Sequence, residues 1–234
     1  MFKIWKADGG YENNLTQYTK TDGILSLLLF GVMIVNYAVL AILQTRFVWM
    51  DENIWLACGF NALMTAIAIG FVKLRKQSLD TIGLLKGKWK SSLAIGVILA
   101  SFLFYNNCLS HVIAGSSLVS IQKIVTLFVY YFFVSVCEEV VFRGYIGTRI
   151  CGLVKKRWLA VCVTGILFIV MHFPYRMIAY GMTLSDLTIH HPGWMADLFI
   201  THVVFQFIYL KTNSLYGAMI PHWMSNLAHQ IVMQ

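Results

Sequence analysis

At 234 residues the chain is short enough for one domain, yet 59% of its residues are hydrophobic and only 12% are charged, far from the usage of a soluble fold. The formal charge of +8 would suit a nucleic acid, but the lysines and arginines flank apolar runs instead of forming an aromatic-laced polar face, so that partner is excluded. Cys58, Cys108, Cys137, Cys151 and Cys162 are scattered without a C-x-x-C pair, which argues against a disulfide framework and a thiolate metal site.

Residues 1–23 are polar, mixed in charge, and read as a cytoplasmic N-terminal tail. Apolar runs of about the twenty residues that cross a hydrocarbon core follow at 24–45 and 54–72, giving two N-terminal transmembrane helices within 24–77. The first is too long for a signal h-region and has no clear small-residue cleavage site, so it is expected to remain as an anchor. Five further runs, 91–112, 121–147, 158–179, 195–210 and 214–233, fall within a second unit, 78–234. The predicted fold is an all-α, polytopic transmembrane helical bundle of seven helices, or eight if the connection at 174–194 supplies one. That connection contains Pro174, Asp186, His190, His191, Pro192 and Gly193 and reads as a surface loop, with a re-entrant or lid-like segment as the alternative. No sequence repeat is evident.

Cytoplasmic loops of membrane proteins carry the excess of Lys and Arg. With seven spans, one side holds Lys3, Lys6, Lys20, Lys73, Arg75, Lys76, Lys86, Lys88, Lys90, Arg149, Lys155, Lys156, Arg157 and Lys211, fourteen in all. The other holds three, Arg46, Lys123 and Arg176. This split predicts a multi-pass protein of the cell membrane with a cytoplasmic N-terminus and an external C-terminus.

Of ten acidic residues, Glu138 and Glu139 alone lie deep in an apolar run. Ionisable groups there are expensive unless paired or facing water, and the default reading is functional. Arg143 follows Glu139 by four residues and suits an ion pair on one helix face, whereas Glu138 is rotated by about 100° and is free to face a cavity. A purely structural Glu139–Arg143 pair is the bland alternative, and it leaves Glu138 unexplained. His172 has Phe168 one turn before it; His222 and Asn226 form another i, i+4 pair, with His229 a turn beyond. Interhelical packing through polar side chains is the structural alternative for these. Measured from the nearest cytoplasmic cation at about 1.5 Å per residue, Glu138, His222 and His172 lie roughly 16, 16 and 22 Å deep in a core about 30 Å thick. A carboxylate and two imidazoles at that depth suit water activation. Glu138 with His172 and His222 would also suit Zn²⁺ with an open position, although the helical H-E-x-x-H motif is absent.

These segments resemble the CAAX protease and bacteriocin-processing family of intramembrane endopeptidases, also called CPBP or Abi, which includes the Ras-converting CAAX endopeptidases. The family's E-E-x-x-x-R corresponds to Glu138, Glu139 and Arg143, followed by Gly144; its F-x-x-x-H to Phe168 and His172; its H-x-x-x-N to His222 and Asn226. The approaches Ser78 to Leu84 and Ser214 to Ala218 are similar too, so the resemblance covers roughly 78–230 and leaves the first two spans outside. The polar connection after His172 is longer than the family pattern. The resemblance implies that Glu138 and His172 activate the hydrolytic water, that His222 and Asn226 stabilise the oxyanion, and that Glu139 and Arg143 organise the site. It implies a peptide or membrane-tethered protein as substrate, in a lipid bilayer, with bacteriocin maturation, immunity or peptide signalling as settings. Zinc is compatible with the family, but a glutamate-dependent mechanism without obligatory metal is the preferred expectation. A non-catalytic membrane partner or immunity protein of the same fold is the main alternative. A small transporter or proton pathway would need an internal repeat or paired broken helices, and neither is evident.

Overall fold

The computed structural model describes residues 6–47, 54–85 and 87–233; Lys3 and Lys86 of the charge count lie outside them. The chain opens with a short helix, α1 (Gly9–Thr16), capped by the Asp8 carboxylate accepting from Gly10 N. The long α2 (Lys20–Arg46) starts at a capping box in which Thr19 and Asp22 satisfy one another's backbone donors. Next come α3 (Ile54–Leu74) and α4 (Trp89–Phe104), the latter carried on by a π turn and a last helical turn to Ile113. Then come α5 (Ile121–Glu138), α6 (Arg157–Val170), the short α7 (Phe173–Ala179), α8 (Pro192–Thr212) and α9 (Tyr216–Ile231). No strand is present among the described residues; Leu118 and Val232 form an isolated bridge.

Among the described residues six helical stretches are long and apolar enough to cross a membrane: Lys20–Arg46, Ile54–Leu74, Trp89–Ile113, Ile121–Gly152, Arg157–Ala179 and Pro192–Thr212. The expected all-α, multi-pass architecture is therefore the observed one. The seventh predicted span is α9, 16 residues long and so about 24 Å. Its beginning is tied to the beginning of α4, where Ser92 Oγ accepts from Gly217 N at 2.8 Å and donates to the Ser214 carbonyl at 3.0 Å. Its end is tied to the beginning of α5, where Val119 N donates to the Ile231 carbonyl at 2.9 Å. Because α4 and α5 start at opposite ends of the bundle, α9 runs its full depth. Small residues permit the close α4–α9 contact: a Cβ on Gly96 would stand 2.9 Å from the Gly217 Cα.

The outer faces are apolar, as a lipid solvent requires. Ile24, Leu28, Val35, Ile98, Phe102 and Ile166 are all exposed. Inside, α5 is the central element, and its continuation Val140, Val141, Phe142, Tyr145 and Ile146 is fully buried against Leu29, Met33, Met64 and Tyr209.

Four sequence expectations are corrected here. The run 121–147 is not one regular helix: residues Glu139–Ile146 form a π-helix, a local widening that favours functional positions. The 174–194 connection is not simply a surface loop: its first residues belong to the span Arg157–Ala179, as the run 158–179 anticipated, and its Leu187 is fully buried. The polar tail is folded: Tyr11 of α1 is buried edge-on against Tyr209 at 5.2 Å and accepts from Gln206 Nε2 at 3.1 Å. Arg149, counted among the flanking cations, is enclosed. Its guanidinium donates to the Thr81 and Gly144 carbonyls at 2.9 and 3.1 Å, to Thr148 Oγ1 at 2.8 Å and to Gln77 Oε1 at 2.7 Å. This ties the single turn Leu79–Ile82 to the end of the α5 continuation. Gly83 closes that turn at φ 72°, where a Cβ would stand 2.5 Å from the Tyr209 ring, so only glycine fits both the conformation and the space.

Candidate active site

The site begins where α5 changes to π geometry. Glu138 is the last α-helical residue and Glu139 the first of the π-helix, so the adjacent carboxylates leave the same helix in different directions. Both are buried, Glu139 completely. Arg143 Nη1 lies 3.0 Å from Glu139 Oε1. The same oxygen accepts from His222 Nδ1 at 2.7 Å, a charge-assisted length.

His222 is delivered by α9, directly after Pro221. Proline has no N–H, which frees a carbonyl in the preceding turn and loosens the local ladder. With Nδ1–H given to Glu139, the imidazole is fixed in ring orientation and its Nε2 points toward Glu138, 3.6 Å from Oε2. That separation is beyond a direct hydrogen bond and suits two groups that share a third polar atom. The other oxygen of Glu138, Oε1, accepts from the Tyr37 hydroxyl at 3.0 Å. The result is a chain running Arg143, Glu139, His222, Glu138, Tyr37 across α9, α5 and α2.

His172 stands at the end of α6, entering α7. Its Nδ1 donates to the Phe168 carbonyl at 2.8 Å, leaving Nε2 as the available base or acceptor of a neutral ring. Phe168 lies edge-on to it at 5.1 Å, and Trp194 of α8 is edge-on at 5.9 Å from the other element. Phe168 also carries the Arg143 guanidinium on its ring at 4.2 Å, with Phe205 at 5.6 Å. The motif aromatic is thus the floor joining the arginine to the histidine, a cation–π contact strengthened by desolvation. Asn226, one turn after His222, is half-buried and its side chain makes no hydrogen bond among the described residues.

The structure therefore brings Glu138, Glu139, Arg143 and His222 into one contiguous cluster of charged and polar groups, with His172 reached through Phe168 and Asn226 one turn beyond His222 on α9. His229, the next step along that face, is exposed and outside it. The conditional zinc set fares differently. Among the described residues no three His, Cys, Asp or Glu side chains converge as metal ligands do. His172, His222 and Glu138 as placed do not fit a zinc centre, and no step below passes through one.

Two residues of this neighbourhood escaped the sequence reading. Tyr37 sits in an ordinary apolar run with nothing local to mark it. His202 of α8 is fully buried, 5.8 Å from the Phe168 ring, against Gly165, where a Cβ would stand 3.2 Å from its Cδ2. A lone histidine in the apolar run 195–210 was a legible signal for it.

No curated protein and no solved structure is similar enough to the chain to count as a match. Residues 120–228 match the family model described as type II CAAX prenyl endopeptidase Rce1-like, a stretch that holds all seven motif residues, Phe168 included. Through these residues the chain, a multi-pass membrane protein, is similar to a family of proteases, consistent with the CAAX protease and bacteriocin-processing motifs that it carries.

Proposed function

We propose that the protein is an intramembrane endopeptidase that hydrolyses a peptide bond of a membrane-tethered protein or peptide, with Glu138 as the base that activates water. The observation that carries this reading is the facing pair Glu138 Oε2 and His222 Nε2, 3.6 Å apart, with Glu138 inside the apolar span Ile121–Gly152 and His222 on α9 beside it. In the proposed reaction Glu138, assisted by His172, takes a proton from water, and the hydroxide adds to the scissile carbonyl carbon. The oxyanion is stabilised by His222 and Asn226, the donors on α9. The C–N bond then breaks as the proton passes to the leaving nitrogen, giving a carboxylate and an amine and returning the base. Glu139 holds the His222 ring in register, and Arg143 balances the charge of Glu139 in a medium that penalises an isolated carboxylate.

The test is cleavage of candidate membrane-tethered peptides, prenylated and unprenylated, by purified protein in lipid. Glu138→Gln keeps size and most hydrogen bonding but removes the base, so the rate is expected to fall 10²-fold or more, typical of general-base loss, with an unchanged melting temperature. A wild-type rate for Glu138→Gln defeats the reading. Full cellular function of Glu138→Gln, with no peptide ever cleaved, would favour a non-catalytic partner. Chelation is expected to leave the rate within about twofold, and a loss restored by Zn²⁺ would instead put a metal in the mechanism.

The same reading places the N-terminus in the cytoplasm and the C-terminus outside, supported by the fourteen-to-three charge split and by the full-depth course of α9. A reporter in the connection between α3 and α4 is expected inside and one fused after the last residue outside. Both reporters on one side would refute this orientation.

A further inference from the structure

The family match begins at residue 120, yet the hydrogen bond on the proposed base comes from well before it. Tyr37 lies near the middle of α2, 101 positions from Glu138 in sequence, and its hydroxyl donates to Glu138 Oε1 at 3.0 Å. Among the described residues this is the hydrogen bond that Glu138 makes to protein, since its contact with His222 is longer. The terminal torsion of a glutamate is broad and roughly two-fold, so a carboxylate with no anchor presents either oxygen in a range of planes. One bond from a fixed donor removes that freedom. It assigns Oε1 to Tyr37 and turns Oε2 to His222 Nε2. The donor is itself fixed: Met33, one turn before Tyr37, is fully buried, and α2 packs against the π-helix that starts at Glu139.

We infer that Tyr37 is a positioning residue for Glu138, so that the reactive carboxylate is completed by a helix outside the matched domain. This rests on Glu138 being the base. The geometry also gives α2 a role in the chemistry beyond anchoring: a shift of α2 against α5 would release Oε1 and disorder the base.

The experiment is Tyr37→Phe, which deletes one oxygen and keeps the ring. Measured on a peptide that the wild-type protein cleaves, kcat is expected to fall about tenfold, as loss of one charge-assisted bond would give, with KM within about twofold and melting unchanged. In the Glu138→Gln background, Tyr37→Phe is expected to leave the residual rate unaltered, because there is no longer a base to position. A wild-type kcat for Tyr37→Phe while Glu138→Gln is inactive overturns this inference alone; a wild-type rate for Glu138→Gln overturns the reading beneath it. A KM rise that accounts for the whole loss, or a further fall in the Glu138→Gln background, makes Tyr37 a substrate or packing contact and also overturns it. A second measurement leaves the phenol in place: 3-fluorotyrosine at position 37 is expected to show a fluorine resonance that moves on Glu138→Gln, and an unmoved resonance in folded protein refutes the contact.

Discussion

Arg143 and Arg149 stand six residues apart on the same helix, and both are completely buried, but they are held in opposite ways. Among the described residues Arg149 has no carboxylate within ion-pair distance. It gives its terminal nitrogens to neutral oxygens of Thr81, Gly144, Thr148 and Gln77 and lies over the rings of Tyr18 and Tyr145 at 4.6 and 4.7 Å. Arg143 has Glu139 at 3.0 Å, not aligned as a hydrogen bond, and otherwise the faces of Phe168 and Phe205. A cation whose terminal nitrogens are both given to neutral acceptors is a staple, because those bonds fix its environment. A cation set against a single carboxylate and aromatic rings keeps its field for that carboxylate, and here the carboxylate orients the imidazole facing Glu138. Burial and chemistry are alike for the two arginines, so the partners decide which belongs to the site.

The largest effect that would break this contrast is on catalysis. Arg143→Met is expected to lower cleavage per folded molecule by tenfold or more, and Glu139→Gln to do the same with a loss of stability, since it leaves Arg143 uncompensated in the membrane. The double variant should lose less than the sum of the two, the sign of a coupled pair. If Arg143→Met cleaves normally per folded molecule, Arg143 is a second staple and the distinction is void.

Next in size is a stability effect. Arg149→Met deprives several buried oxygens of their donor, and each unsatisfied group costs about 1–3 kcal/mol, so yield and thermal stability should drop sharply. The fraction that folds should cleave within about threefold of wild type; a cleavage loss as deep as that of Arg143→Met would tie Arg149 to the site. The smallest effect sharpens the picture of a shared network. Gln77→Ala removes one acceptor of Arg149 and leaves the others, and the melting shift should correspond to about 1 kcal/mol. A shift as large as that of Arg149→Met would mean that Gln77 carries the staple.

The spans were legible because hydropathy is a property of contiguous residues. Runs of about twenty apolar side chains name their own solvent, and the motif residues stood out because each is a polar group placed where lipid penalises it. The Glu139–Arg143 pairing was legible for the same local reason, as four residues bring two side chains to one face of a helix. Loop reading fell short at 174–194 because its polar residues and prolines gave no sign that Leu187 would be fully buried, a matter of packing between distant segments.

By itself, then, the sequence determined a multi-pass all-helical protein and the motif residues, each a polar group set in an apolar run. The tertiary structure alone decided that His222 turns one nitrogen to Glu139 and the other to Glu138, that Tyr37 reaches Glu138 from α2, and that Phe168 supports both Arg143 and His172. It also decided that Arg149 is enclosed instead of facing the membrane surface. These are contacts between helices far apart in the chain. Local periodicity sets which face of a helix is buried, while the rotation and depth of one helix against another set which atoms meet.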